Sequence, residues 1–393
     1  MSGITELIDR ATNQQDGDFV TGSIIGTVVG RGGRILYQHV SGVGSAPDQP
    51  LTGDHLFWLA SQSKLMCAVA AMQTVERGLI GLDDDIAPHV PELAALEVLD
   101  GGEDDKGVPT TKPRQNKITL RLLLSHQSGL GYDIMPFSLA KWAKATGLKY
   151  TTLDNTGIPM KTVPLAFEPG TSWTYGAGID WAAEVVARLN KTTLEDYYRK
   201  NIWEPLGMTH TTFHPLKFPP NEIVQGFERQ ETGQAIAKDI PVPKGSPVEM
   251  GGHGVWGSAN DYIKMLSALL DGGGPILSSK SVDEMFSPQM LHPQALDDMV
   301  KGPYKPVLGP SIPPDAKIDH GLSGLINLEA FPGRRAAGTL QWSGAPNLIW
   351  WIDRKTGIAA TAFLQIMPPG DAIAGKFNVN FEEQVYKAFG KGG

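Results

Sequence analysis

Leu56-Phe57-Trp58-Leu59-Ala60-Ser61-Gln62-Ser63-Lys64 carries an apolar, extended segment into a serine, with a lysine three residues beyond it. From Leu65 to Arg77 the chain has neither Pro nor Gly, and Gly78 then stops it, which predicts a helix closed by a C′ glycine. Leu65, Ala68, Val69, Met72 and Val75 recur there at three- and four-residue spacing among few charges, so the helix is mostly buried and takes Lys64 inward. Positions i and i+3 share a helix face, which puts the Lys64 amine within reach of the Ser61 hydroxyl. Burial disfavours the charged form of an amine, so the pair has the makings of a nucleophile and its base.

A serine and a lysine at this spacing also meet by chance, and Ser138-Leu139-Ala140-Lys141 is a second instance. Ser61 stands where an apolar segment becomes a buried helix, with its N–H at the positive helix end, whereas Ser138 opens a polar-faced stretch. Ser61 is the candidate nucleophile and Ser138 the internal control.

Composition narrows the function classes. At 393 residues the chain exceeds one small core, and 41% hydrophobic with 19% charged residues is ordinary for a globular protein of one bilobal unit or two domains. The net charge of −8 comes without a basic run, which argues against nucleic acid. The single Cys67 excludes an internal disulfide and, inside the buried helix, reads as packing. No stretch approaches the ~18 apolar residues of a membrane span, and Met1 to Gly17 is polar rather than basic and then apolar, so a cytoplasmic location is expected.

Strand signals lie at the two ends. Ser23 to Val29 and Arg34 to Val40 flank Gly30-Arg31-Gly32-Gly33 as a hairpin. Leu340 to Ser343, Leu348 to Ile352 and Ile358 to Gln365 complete an antiparallel set whose partners are expected to be the N-terminal strands. Between them Ile118–Ser125, Ile179–Leu189, Leu194–Asn201 and Asn260–Leu270 carry helical spacing, while 99–117 and 292–317 read as surface loops. The expected domains are a discontinuous α/β lobe, 1–75 with 250–393, and a mainly helical lobe, 76–249.

With these phrases in place, the chain resembles the serine β-lactamase and penicillin-binding-protein superfamily, in the branch of class C β-lactamases, family VIII carboxylesterases and lovastatin-type acyltransferases. Ser61-Gln62-Ser63-Lys64 matches its first motif. Ile118 to Leu130, Glu168 to Gly176 and Gly251 to Ser258 are shared phrases in the family's order. The resemblance implies an α+β, β-lactamase/transpeptidase-like fold: an antiparallel sheet flanked by helices plus an all-helical lobe, with the site in the cleft between. Where class C enzymes have Tyr-x-Asn, this chain has Tyr175-Gly176-Ala177, which keeps the tyrosine as candidate base and loses the amide. A phenol becomes a usable base only beside a cation, so Lys64 and Tyr175 are expected to act as a unit.

The third motif, Lys-Thr-Gly, has a literal match in Lys355-Thr356-Gly357, but this match lies between two apolar strand runs and reads as a hairpin turn. On the strand before it stands Trp342-Ser343-Gly344-Ala345-Pro346-Asn347. By the resemblance, the N–H groups of Ser61 and Ala345 form the oxyanion hole, and Trp342, Ser343, Gly344 and Tyr132 contact substrate. The missing lysine removes the cation that pairs with a β-lactam carboxylate. His210 and His214 are spaced i,i+4 without an adjacent Glu or third ligand, and His126 and His253 are expected to hold loops near the site. No Gly-x-Ser-x-Gly, phosphate loop or dinucleotide fingerprint is present, and no metal or cofactor is expected.

The expected chemistry is acyl transfer through a Ser61 ester, from a small-molecule ester or thioester to water or an alcohol. The resemblance admits an acyl-carrier protein as the donor's bearer. A D-stereospecific peptidase or weak β-lactamase would use the same residues, and a non-catalytic scaffold could keep the fold; both stay open on the sequence.

Overall fold

The β-rich runs at the two ends of the chain pair with one another. The computed structural model describes residues 1–46, 48–132, 137–148, 163–242, 244–246 and 248–390. Its main sheet has seven strands: β1 (Ser23–Gly30), β2 (Ile35–Gly42), β3 (Ile318–His320), β4 (Leu325–Asn327), β5 (Leu340–Ser343), β6 (Ile349–Asp353) and β7 (Ile358–Phe363). Their order is β3-β4-β5-β6-β7-β1-β2, all antiparallel. The β1–β7 register sets Ile25 opposite Phe363 and Gly30 opposite Ile358, as the sequence predicts for its two groups of strands.

Both faces of this sheet are covered, and β1 shows how. Ile24 and Val28 pack with Ile8 of helix α1 (Ser2–Thr12) and with Phe381 of the C-terminal helix, whereas Ile25 and Val29 join the larger core on the opposite face. This is the period of two that a strand buried on both sides requires. The helix after Ser61, α2 (Ser63–Glu76), is buried at every position from Ser63 to Thr74. Its apolar character runs all round rather than along one stripe, so it forms a central core helix, packed against α3 (Gly178–Asn190). Gly78 ends it at φ 68°: its N–H bonds Val75 O at 2.9 Å, and Leu79 N–H bonds Thr74 O at 3.2 Å. Helix α4 (Ala259–Leu270), capped by the Ser258 side chain, packs against β7 and β1, and α5 (Ala372–Phe389) closes the chain.

Two loop expectations are corrected. Within 99–117 the chain pairs Glu97–Glu103 with Pro109–Pro113 as a hairpin, in which only the adjacent Val98 and Leu99 are buried, so no period-two alternation marks its strands. Within 292–317, Pro293–Val300 is a helix with Pro at its first turn and with Leu296 and Val300 buried at i,i+4 spacing; Lys305–Leu308 forms a further turn of helix. Among the described residues no helix is long and apolar enough to cross a membrane.

Candidate active site

Ser61 lies in the tight turn Ala60–Gln62 that feeds α2. The approach to it is pinned: Phe57–Trp58 pairs with Trp256–Gly257, Leu59 N–H bonds Val255 O at 3.0 Å, and Trp58 Nε1 donates to His253 O at 2.7 Å. Ala60 takes a positive φ of 47°, a conformation costly for a residue with a Cβ and found at functional turns. One turn on, Lys64 is 1% exposed, and its Nζ lies 3.3 Å from Ser61 Oγ, 2.8 Å from Gly252 O and 3.3 Å from Tyr132 OH. The Tyr175 hydroxyl is hydrogen-bonded to Ser61 Oγ from the other side. Ser61, Lys64 and Tyr175 therefore converge.

Sequence reasoning missed Asp180. Its carboxylate, on the first turn of α3 and 2% exposed, accepts from the Tyr132 hydroxyl at 3.0 Å and from Gly252 N–H at 2.8 Å; His253 Nδ1 is 3.7 Å away. The detectable signal was one acid among Ile179, Trp181, Ala182 and Ala183, in a helical turn that is apolar all round and has no other reason to hold a charge. A Cβ on Gly252 would stand 2.7 Å from Asp180 Oδ2, so a glycine lets this backbone close on the carboxylate while its carbonyl reaches Lys64. Three acceptors around Nζ suit the three N–H bonds of an ammonium. Tyr132, expected among the substrate contacts, lines the cavity, and its hydroxyl accepts from Lys64 and donates to Asp180.

His126, in the Ile118–Leu130 phrase, is buried at φ 60° and brackets Tyr175. Its carbonyl accepts from Thr174 N–H at 3.1 Å and its Nδ1 from Gly176 N–H at 3.4 Å; its ring centroid lies 4.8 Å from that of Tyr175. Burial, reinforced by His320 and Lys64, holds His126 well below the usual imidazole range. Burial likewise brings His320 down to about 4, against the opposing effect of its bond to Gly321 O. Both rings are neutral near pH 7, which suits a loop-holding role. The loop Glu168-Pro169-Gly170 is tied in turn through Gly170 N–H to Gln127 O at 2.8 Å.

A cavity of about 460 Å³ opens over Ser61. Tyr132, Tyr175, Trp342, Ser343, Gly344 and Ala345 line it near the serine. A Cβ on Gly344 would come within 2.5 Å of Leu59 O, so the end of β5 runs directly against the backbone before the nucleophile. Trp342 is 3% exposed, 5.4 Å from the Tyr175 ring. A further part of the lining, Pro306, Val307, Leu308, Pro310, Gly375 and Asn378, was not foreseen, because its first part lies in the segment expected to be a loop. No Asp, Glu, Lys or Arg is among the described residues that line the cavity.

The discarded candidates lie elsewhere. Lys355 is exposed in the β6–β7 turn, where Asp353 holds Thr356. Ser138 is exposed on the helix Phe137–Thr146, and Lys141 pairs with Glu103. His210 bonds Thr209 and His214 bonds Glu249, on separate contacts. Cys67 is buried, its thiol pushed up to about 12 by desolvation. Among the described residues no cluster of three His, Cys, Asp or Glu side chains is placed to hold a metal ion.

An antiparallel sheet with flanking helices, a serine turn ahead of a buried helix, a lysine one turn on and a tyrosine meeting the serine from another element define the serine β-lactamase class of fold and site. The beta-lactamase family model matches residues 14–381, and the chain belongs to that family. It is 34% identical over 388 residues to lovastatin esterase of Penicillium rubens, covering 94% of this chain and 96% of that protein. It is 34% identical to monacolin J acid methylbutanoyltransferase of Aspergillus terreus, over 87% of this chain and 84% of that one. The structure of a simvastatin synthase mutant from Aspergillus terreus superimposes with a TM-score of 0.88 at 30% identity, covering 100% of this chain and 94% of that one. The chain is thus a serine acyl-transfer enzyme, an esterase or acyltransferase, with an acyl donor and an acceptor as substrates.

Proposed function

We propose that Ser61 carries the acyl group, that Tyr175 is its base and that Lys64 is the cation that keeps Tyr175 ready. The observation that carries this is the Ser61–Tyr175 hydrogen bond with Lys64 Nζ 3.3 Å from the same Oγ. If Lys64 donates to Ser61 Oγ, the serine hydrogen is directed at the Tyr175 oxygen. As Oγ bonds the substrate carbonyl carbon, that proton passes to the Tyr175 oxygen, which enters this step as the phenolate and leaves it as the phenol, and the carbonyl electrons move onto oxygen, facing the N–H groups of Ser61 and Ala345. Collapse expels the alcohol or thiol, which takes the proton from Tyr175. An acceptor alcohol or water then repeats the sequence in reverse.

In this reading the cleft lies between a lobe of residues 1–75 and 250–393 and a mainly helical lobe of 76–249. The donor is a neutral ester or thioester, including one borne on an acyl-carrier protein, with a short acyl group like the methylbutanoyl in a relative's name. Trp342, Ser343 and Gly344 flank its carbonyl. The apolar lining supports an apolar donor and a bulky alcohol acceptor.

Intact-mass spectrometry after incubation with p-nitrophenyl butyrate and a butyryl thioester tests this. Wild type should gain one butyryl group, mapped to Ser61, and Ser61→Ala should gain none. Retained acylation or turnover in Ser61→Ala would overturn the mechanism.

A further inference from the structure

Gly375 stands inside α5 on the cavity wall, at helical rather than positive φ. Glycine inside a helix is destabilising relative to alanine, so its presence asks for a reason. Close packing is not that reason. A Cβ placed there meets one heavy atom outside the helix backbone and its chain neighbours within 4 Å, Pro310 Cβ at an ordinary 3.7 Å, and Pro310 is itself a wall residue. Beyond Cβ a longer side chain at 375 has the cavity to grow into.

The two sides of this wall are fastened together. Asn378, one turn along the same helix face, lines the cavity and donates to Asn347 O at 3.0 Å. Glu382, one turn further, is fully buried and pairs with Arg334 and Arg335. Arg334 also donates to Ser311 O at 2.9 Å, and Ser311 adjoins Pro310. A buried ion cluster is weak evidence for stability, but this one ties α5 to the Pro310 turn and so fixes the gap between Gly375 and Pro310.

We infer that the bare surface at Gly375, held against Pro310 by the Arg334–Arg335–Glu382 cluster, sets the size of the apolar group that the cavity admits. Naming that group as part of an acyl donor or acceptor alcohol rests on the acyl-enzyme reading above; the size limit itself does not.

The experiment compares wild type with Gly375→Ala and Gly375→Leu. One arm varies the acyl chain of p-nitrophenyl esters from acetate to octanoate; a second fixes a butyryl donor and varies the acceptor from ethanol to a bulky cyclic alcohol. A third measures binding of unreactive ketones, 2-butanone to 2-decanone, by tryptophan fluorescence. In Gly375→Leu the large-to-small ratio of kcat/KM should fall about tenfold or more in the arm whose substrate reaches the wall, with ketone affinities falling in parallel. Gly375→Ala should shift the ratio about two- to threefold at a Tm equal to or above wild type, and it decides the matter should Gly375→Leu fail to fold. Ratios and ketone affinities matching wild type in a folded variant would overturn the inference. Absence of any acyl-enzyme in wild type would instead sink the mechanism, with the ketone arm still deciding the role of Gly375.

Discussion

Replacing Asp180 by Asn removes one negative charge while preserving the shape of the site. The Tyr132 hydroxyl lies 3.0 Å from the Asp180 carboxylate and 3.3 Å from Lys64 Nζ, so cation and anion are within about 6 Å of each other. Unit charges at that distance attract by about 3 kcal/mol at an effective dielectric of ~20. The amide also has a donor problem. Its NH₂ must face either Gly252 N–H, donor against donor, or the Tyr132 oxygen, which turns the Tyr132 hydrogen toward Lys64. In both orientations Lys64 loses part of the environment that holds it beside Ser61 and Tyr175. If most of the Coulomb energy is expressed in the transition state, kcat/KM for p-nitrophenyl butyrate should fall about 30- to 100-fold. Steady-state kinetics at pH 7, with circular dichroism and Tm to establish folding, are the assay. A folded Asp180→Asn protein within about threefold of wild-type turnover would refute the chain of contacts from Lys64 through Tyr132 to Asp180.

On the proposed mechanism Lys64 and Tyr175 form one proton-transfer unit, so Lys64→Ala and Tyr175→Phe should each cost about what the double variant costs; losses that multiply would separate them. Trp342→Ala should raise KM for apolar esters, removing about 1–3 kcal/mol of contact, whereas Lys355→Ala should leave turnover within about twofold. The opposite pair of results would mean that the third motif is aligned to the wrong segment. Burial holds His320 at about 4 in the folded protein against about 6.5 unfolded, so between those values the unfolded chain takes the extra proton and stability drops as the pH drops, by up to about 1.4 kcal/mol per pH unit. Urea titrations at pH 7 and pH 5 should show a smaller drop in His320→Asn than in wild type; equal drops would assign the titration to other groups.

Sequence legibility followed what each residue had to do. The hairpin at Gly30–Gly33, the helix ending at Gly78 and the antiparallel pairing of both chain ends rest on local chemistry: glycine conformations and period-two burial. Ser61, Lys64 and Tyr175 could be picked out because helical spacing and a shared phrase marked them before any contact was known. Asp180 could not be assigned, since its partners Tyr132 and Gly252 lie 48 and 72 residues away and no local pattern links them. The Pro306–Pro310 and Gly375 part of the lining was lost for a different reason. Pro293–Val300 buries only Leu296 and Val300, and the Pro306–Pro310 turn matters through α5, which follows it by more than sixty residues.

The distribution of charge argues for what the cavity should admit. Lys64 is balanced by Asp180 across Tyr132, so the buried cluster carries no spare cation. The cavity adds none, having no Lys or Arg among its described lining residues. The Lys-Thr-Gly triplet does not supply one either. The β5–β6 turn that reaches Ser61 lies at one end of β6 and Lys355 beyond the other, some ~15 Å along at about 3.3 Å per residue, exposed to solvent. A carboxylate entering beside Trp342 would therefore be desolvated without a partner, at a cost of several kcal/mol. A neutral ester meets no such penalty, and in the reading proposed above it gains the aromatic surface of Trp342, so a site whose β5 strand carries no lysine is expected to turn over uncharged acyl donors in preference to carboxylate-bearing ones.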